Sequence, residues 1–152
     1  MVEPWDTRAP KVVTLPSGRR IRGRGLRYEL PEGQRPTFGV QLTEHEPAGV
    51  PWDSVWIPWR DFWLPADPVD AMGKLRAAYD RAVEERVEIC CGGGVGRTGT
   101  ALSALCVFEG MRPRDAVRWV RRTYHPRAVE VPWQRRFIRQ VFDAGTAGSR
   151  RP

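Results

Sequence analysis

The chain has 152 residues, of which 41% are hydrophobic and 28% charged, a balance typical of one globular domain that excludes an intrinsically disordered chain. Its net charge of +7 comes almost entirely from arginine, whose guanidinium group grips carboxylates and phosphates in a two-pronged fork. The charge therefore indicates either a compositional bias or a preference for anionic partners.

Targeting and redox signals point to the cytoplasm. No apolar run is long enough to cross a membrane, and the first residues lack the basic stretch and apolar stretch of a signal peptide. Three cysteines, two of them adjacent, make a poor disulfide framework and fit reduced thiols better. We therefore expect a cytoplasmic protein that does not associate with membranes.

The elements predicted along the chain alternate between strands and helices. Apolar residues on both sides of the turn at residues 16–18 predict an N-terminal β-hairpin. Periodicity predicts further strands at residues 37–42, 54–59 and 86–90, and helices at 68–86, 98–109, 112–124 and 132–144. This order predicts an α/β fold with a central, mainly parallel twisted sheet flanked by helices. We expect a single domain over residues 1–152, with its core at about 10–145 and a frayed tail at 146–152.

A glycine-rich loop joins the last predicted strand to the second predicted helix. Residues 92–96 read GGGVG, and Arg97 follows them. Successive N–H groups of such a loop can point to one centre, and the positive N-terminal end of the next helix favours the same anion. Arg97 can hold two oxygens of a tetrahedral oxyanion. The loop is therefore predicted to bind phosphate through Gly92, Gly93, Gly94, Val95, Gly96 and Arg97.

Two kinds of phosphate loop can be distinguished by their fixed positions. The nucleotide-binding pattern G-x-x-x-x-G-K-[ST] would need a glycine at Cys91 and a lysine at Arg97. The pattern C-x-x-G-x-x-R-[ST] is matched throughout, by Cys91, Gly94, Arg97 and Thr98. An anion-binding loop stabilises a thiolate as it does a phosphate, so Cys91 is predicted to attack phosphorus and form a phosphocysteine. Thr98 can donate a hydrogen bond to the sulfur, and Cys90 should face another way because strand side chains alternate.

The stretch CCGGGVGRTG resembles the active-site loop of the cysteine-dependent protein tyrosine and dual-specificity phosphatases. Residues 59–65, WRDFWLP, resemble that family's general-acid loop W-P-D-x-G-x-P, which implies that Asp61 protonates the leaving group and then activates water. Residues 127–138 resemble its Q-loop, which implies that Gln134 positions the attacking water. The resemblance implies the protein tyrosine phosphatase-like fold, of the compact bacterial dual-specificity type, with no metal and no cofactor.

The same resemblance implies a phosphomonoester hydrolase that acts on phosphotyrosine in proteins, with dual specificity as an extension. Expected partners are phosphorylated proteins or small phosphomonoesters, with phosphate, vanadate or sulfate as loop ligands. The loop carries no lysine, which argues against inositol phosphates. An RNA or nucleotide phosphatase is an alternative, favoured by arginine runs at residues 19–27 and 114–122. A non-catalytic phosphate-binding module is another, although it would not need both a nucleophile and an acid.

Several positions depart from the family pattern or compete with the named residues. Cys90 replaces the usual histidine, either as a small buried substitute or as a redox partner in a labile bond with an oxidised Cys91. Arg60 replaces proline in the acid loop and is expected either to change how that loop closes or to contact an anionic substrate. Trp63 replaces glycine and is expected either to line the pocket or to restrain the loop.

Other side chains could share or take the predicted roles. Trp59 and Trp63 could stack on a phenol ring or fill the core. Asp53, Asp67 and Asp70 compete with Asp61, His125 is expected in a loop, and Cys106 in the core.

Overall fold

The computed structural model describes residues 2–149, which form one sheet of five strands and four helices. The strands are β1 (Val12–Thr14), β2 (Arg20–Gly25), β3 (Phe38–Thr43), β4 (Asp53–Pro58) and β5 (Val87–Cys91). The helices are α1 (Pro68–Arg81), α2 (Gly96–Phe108), α3 (Pro113–Thr123) and α4 (Pro132–Ser149). No helix within these residues is both long and apolar enough to span a membrane.

The sheet has the strand order β1-β2-β5-β3-β4. Strands β1 and β2 form an antiparallel hairpin, and all other neighbours pair in parallel, which confirms the predicted mainly parallel sheet with its N-terminal hairpin. Strand β5 is central and all five of its residues are buried, as expected for a parallel strand covered on both faces. It ends at Cys91, so the glycine-rich loop leaves the middle of the sheet at the edge where ligands bind in such folds.

Helix α2 forms the centre of the helical layer. It is buried from Gly96 to Cys106 and contacts the sheet and each of the other three helices. This position accounts for a helix with almost no charge, because no face of it meets water. Cys106 lies inside this core, where burial raises the pKa of its thiol to about 12, in agreement with the core position predicted for it.

Two predicted helix ends are wrong. Helix α1 ends at Arg81 rather than at residue 86, because Val83 is exposed and the backbone N–H of Arg86 already bonds to Thr37 Oγ1 on the way into β5. Helix α4 continues to Ser149, through the first part of the tail predicted at 146–152, since extending an existing helix costs little per residue. The rest of that predicted tail lies outside the described residues.

Candidate active site

The sulfur of Cys91 lies at the floor of the glycine-rich loop. It accepts hydrogen bonds from the backbone N–H of Gly94 at 3.2 Å and from Thr98 Oγ1 at 3.1 Å. Both donors favour negative charge on the sulfur. Helix α2 begins at Gly96 without a side-chain cap, so its first N–H groups are free to bind an anion above the sulfur.

Gly94 gives the loop its conformation, because its backbone is left-handed and lies close to strand β2. Gly94 has φ +73°, and a Cβ atom at this residue would lie 2.6 Å from the backbone nitrogen of Gly25. Its carbonyl accepts a 2.5 Å hydrogen bond from the hydroxyl of Tyr124, at the end of α3. Burial, and then the nearby charge of Cys91, raise the pKa of this hydroxyl, which therefore stays a donor. The loop is thus fixed from two sides.

Gly94→Ala is expected to destabilise the protein, because it combines left-handed backbone with a steric clash. The left-handed conformation alone costs about 1–2 kcal/mol, and the clash about 1 kcal/mol more. Gly33→Ala is the matched control, since Gly33 has φ +98° and open space around its Cβ position. Urea denaturation should show a larger loss of unfolding free energy for Gly94→Ala than for Gly33→Ala. Equal losses would mean that the loop and β2 can move apart enough to accommodate the added Cβ atom.

The guanidinium of Arg97 connects the loop to the predicted acid loop. Its Nη1 donates to the carbonyl of Trp59 at 3.0 Å, and its Nε lies 3.5 Å from Asp61 Oδ1. That second distance suits an ion pair but is long for a hydrogen bond, and the buried Nε has no hydrogen-bond partner within the described chain. Donor capacity is therefore left for a bound oxyanion.

Asp61 is the acidic residue of its region that reaches the loop. Its side chain is 40% exposed, and Oδ1 accepts a hydrogen bond from the Phe62 N–H at 3.0 Å. Phe62 itself has φ +58°, a strained conformation that turns the chain at this point.

The three competing carboxylates have structural partners instead. Asp53 pairs with Arg81, Asp67 caps α1, and Asp70 pairs with Lys74.

The two tryptophans of the acid loop differ in exposure: Trp59 is buried and fills the core rather than stacking on a substrate ring, whereas Trp63 is 54% exposed. Trp59 is only 1% exposed, packs edge-on against Phe137, and donates from Nε1 to the carbonyl of Trp63 at 2.7 Å. Trp63 lies against Trp133 on α4, with ring centroids 5.6 Å apart. Arg60, which stands where the family has proline, is exposed to solvent. Trp63, which stands where the family has glycine, connects the acid loop to α4.

Gln134 lies in the first turn of α4, completely buried, and points an unpartnered amide at the loop. Its Oε1 accepts from the backbone N–H of Glu130 at 2.7 Å, whereas its Nε2 finds no partner within residues 2–149. The carboxylate of Glu130 approaches so closely that a Cβ atom at Gly96 would lie 2.0 Å from Oε1. Gly96 therefore admits a second carboxylate to the site. Sequence reasoning missed it, although it lies four residues before Gln134.

Cys90 and His125 take no part in this hydrogen-bond network. Cys90 is buried on the opposite face of β5, where its thiol donates to the Val40 carbonyl at 3.6 Å and burial raises its pKa to about 12. His125 lies in the loop after α3, as predicted. Burial and the charges of Lys11 and Arg127 lower its pKa, and its Nδ1 accepts from the Arg127 N–H at 3.0 Å.

A cavity of about 340 Å³ opens above the loop. Four segments line it: the loop with the start of α2, the acid loop, the residues just after β2, and the segment between α3 and α4. Its walls include Cys91, Gly93, Val95, Gly96, Arg97, Asp61, Phe62 and Glu130. A larger groove of about 590 Å³ between α3 and α4 contains none of the predicted site residues.

The arginine run at residues 19–27 does not form a continuous basic surface. Arg22 and Arg24 are paired with the buried carboxylate of Glu88. Arg19 donates to the Tyr79 carbonyl and Arg20 to that of Trp5. Glu88 thus neutralises part of the run and internal contacts orient the rest except Arg27, which weakens one of the two observations that favoured a nucleic-acid substrate.

Comparison with known proteins agrees with this geometry. No curated protein matches the chain. Similar solved structures include Tk-PTP in its active form (23% identity, 88% of this chain and 97% of that chain, TM-score 0.68) and human DUSP28 (16% identity, 74% and 80%, TM-score 0.60). PTPMT1 in complex with PI(5)P is similar over 74% of this chain and 80% of its own, with 12% identity and a TM-score of 0.58.

These likenesses establish the fold, and a family model extends the result to the family. The model is described as "Swiss Army Knife protein, DSP-PTPase phosphatase domain", and it matches residues 42–144, which is more than half of the chain. The match covers the acid loop, the glycine-rich loop and Gln134. The chain therefore belongs to this phosphatase domain family, within the superfamily of cysteine-dependent protein tyrosine and dual-specificity phosphatases.

Proposed function

We propose that this phosphatase hydrolyses phosphotyrosine in proteins through a phosphocysteine formed on Cys91. One observation carries the proposal: the Cys91 sulfur lies at the floor of the glycine-rich loop and accepts hydrogen bonds from the Gly94 N–H and the Thr98 hydroxyl. That arrangement suits a thiolate nucleophile and the phosphoryl group it attacks. The alternative of a non-catalytic binding module does not account for a carboxylic acid placed beside the same loop.

In the first step, the sulfur forms a bond to phosphorus while the bond from phosphorus to the substrate oxygen breaks. Arg97 and the loop amides hold the equatorial oxygens of the phosphoryl group, where charge is stabilised in the transition state. Asp61 gives its proton to the departing oxygen, which would otherwise leave as an unstable anion. The product alcohol or phenol departs, and the phosphoryl group stays on Cys91.

In the second step, water attacks phosphorus and the sulfur leaves. Asp61, now ionised, takes a proton from the water. The free Nε2 of Gln134 is suited to hold that water in position, since it is buried and has no described partner. Thr98 stabilises the departing thiolate through its 3.1 Å hydrogen bond. Inorganic phosphate is released, and the enzyme returns to its starting state.

Phosphotyrosine is supported by the aromatic side chains that border the cavity. Phe62 is 50% exposed and Tyr28 is 68% exposed, and both line the entrance. Such rings can pack on a phenyl group, whereas the buried Trp59 cannot. The similarity to PTPMT1, which was solved with PI(5)P, makes a lipid phosphomonoester the competing substrate, although the loop residues GGGVG carry no lysine.

A rapid-quench experiment on a phosphotyrosine peptide and its phosphoserine counterpart tests the proposal. We expect a phosphoryl group on the proteolytic fragment that contains Cys91, formed faster from phosphotyrosine. Gln134→Ala should slow breakdown of this adduct about 10- to 100-fold and make it accumulate, because the water is no longer held. Gln140→Ala, on the same helix, should behave as wild type. Turnover without a trapped adduct in any variant would refute the phosphocysteine.

A further inference from the structure

Arg27 is held beside the phosphate loop by the backbone of its own segment. The N–H of Leu26 donates to the Cys91 carbonyl at 2.9 Å, and the N–H of Arg27 donates to that of Gly92 at 3.0 Å. The guanidinium lies over the loop, with Nη2 3.8 Å from a Cβ position at Gly92 and Nη1 3.9 Å from one at Gly93. The end of β2 therefore brings a cation to the first half of the loop.

Arg127 approaches the cavity from the segment between α3 and α4. Its N–H is held by His125 Nδ1, and the following carbonyls of Ala128 and Val129 accept hydrogen bonds of 2.8 Å from Arg121. Val129 has φ +64°, so the turn is strained and closely held. The same segment brings Glu130 against Gly96, and Arg127 lines the cavity with it.

Neither guanidinium is neutralised. Within residues 2–149, no carboxylate forms an ion pair with Arg27 or Arg127, although both side chains line the cavity. The two carboxylates of the cavity have other neighbours. Asp61 lies near Arg97, and Glu130 lies against Gly96. Arg97 with the loop amides already suffices for one phosphoryl group, so two cations remain for other groups of the substrate.

We infer that Arg27 and Arg127 form a second anion-binding subsite, which selects phosphotyrosine peptides with acidic residues beside the phosphotyrosine. This inference rests on the proposed function. Both arginines and the exposed rings of Tyr28 and Phe62 line the same cavity. A cavity lined by unpaired cations and exposed rings suits an acidic peptide, whose carboxylates flank the phosphotyrosine.

The test compares kcat/KM for three phosphotyrosine peptides of equal length, flanked by glutamate, alanine or lysine. Wild type should prefer the glutamate peptide, and the preference should weaken with added salt. Arg27→Gln and Arg127→Gln should each lower the ratio of glutamate to alanine peptide, by up to about fivefold. Arg136→Gln, an exposed arginine on α4, should leave the ratio unchanged. Arg27→Glu should shift the preference towards the lysine peptide, which a merely structural role would not do.

Hydrolysis of p-nitrophenyl phosphate separates this inference from the proposed function. If wild type does not turn over p-nitrophenyl phosphate, the proposed function fails. If it hydrolyses that compound and all three peptides with equal kcat/KM, the subsite alone is overturned. A preference for phosphatidylinositol phosphate in phosphatidylcholine vesicles over every peptide, reduced in Arg27→Gln, would overturn it in favour of a lipid headgroup.

Discussion

Cys91→Ser is expected to abolish turnover of p-nitrophenyl phosphate, with a loss of kcat of more than about 10⁴-fold. A serine hydroxyl is a far weaker nucleophile than a thiolate, and the two groups that hydrogen-bond to the sulfur, the Gly94 N–H and the Thr98 hydroxyl, are donors rather than bases. The loop amides and Arg97 remain, so the variant should still bind inorganic phosphate or vanadate. Steady-state kinetics and calorimetric titration with vanadate measure the two effects separately.

The adjacent cysteine supplies the control. Cys90→Ser should retain most of the activity, because a serine hydroxyl can donate to the Val40 carbonyl as the thiol does. A thiol with a pKa of about 12 is protonated at neutral pH and is a poor nucleophile. The strand also directs the two sulfurs to opposite faces, which does not favour a bond between them. If Cys90→Ser were inactive while still folded by circular dichroism, or Cys91→Ser active, the nucleophile would be misassigned.

The position of the glycine-rich loop between a strand and a helix was predictable because the residues that specify it are local. Cys91, Gly94, Arg97 and Thr98 lie within eight consecutive residues, and the turn between strand and helix leaves few other geometries. The parallel sheet could also be predicted from the sequence, since its strands have distinct apolar patterns. The end of α1 was not, because it depends on where the chain must turn to enter β5 rather than on helical periodicity.

The rest of the site is assembled by tertiary contacts that no local pattern reports. Arg27 reaches the loop because β2 pairs with β5, and Tyr124 reaches it from the end of α3. In the sequence, Arg27 is one charge in a run of arginines. The structure distinguishes it from the others, because Arg19, Arg20, Arg22 and Arg24 have internal partners. The burial of Trp59 likewise depends on Phe137, which lies far away in the sequence. Such residues require the fold before a role can be considered.

Asp61→Asn should reduce phosphatase activity by an amount that depends on the leaving group. The role proposed for Asp61 is to protonate the departing oxygen, and general-acid catalysis is worth about 10²- to 10⁴-fold. An alkyl or unsubstituted phenyl leaving group needs that proton, so its kcat/KM should fall by the full factor. p-Nitrophenolate is stable without protonation, so p-nitrophenyl phosphate should lose much less.

A series of aryl phosphates with graded leaving groups therefore tests the assignment better than any single substrate. In Asp61→Asn, the logarithm of kcat/KM should depend steeply on the acidity of the leaving phenol, whereas wild type should show a shallow slope. Asp70→Asn is the matched control, since that carboxylate pairs with Lys74 at 2.8 Å on α1 and should leave both slope and rate unchanged. An equal loss for every leaving group would instead make Asp61 a positioning residue, which holds Arg97 through their 3.5 Å contact. Glu130, the other carboxylate of the cavity, would then be the next candidate for the acid.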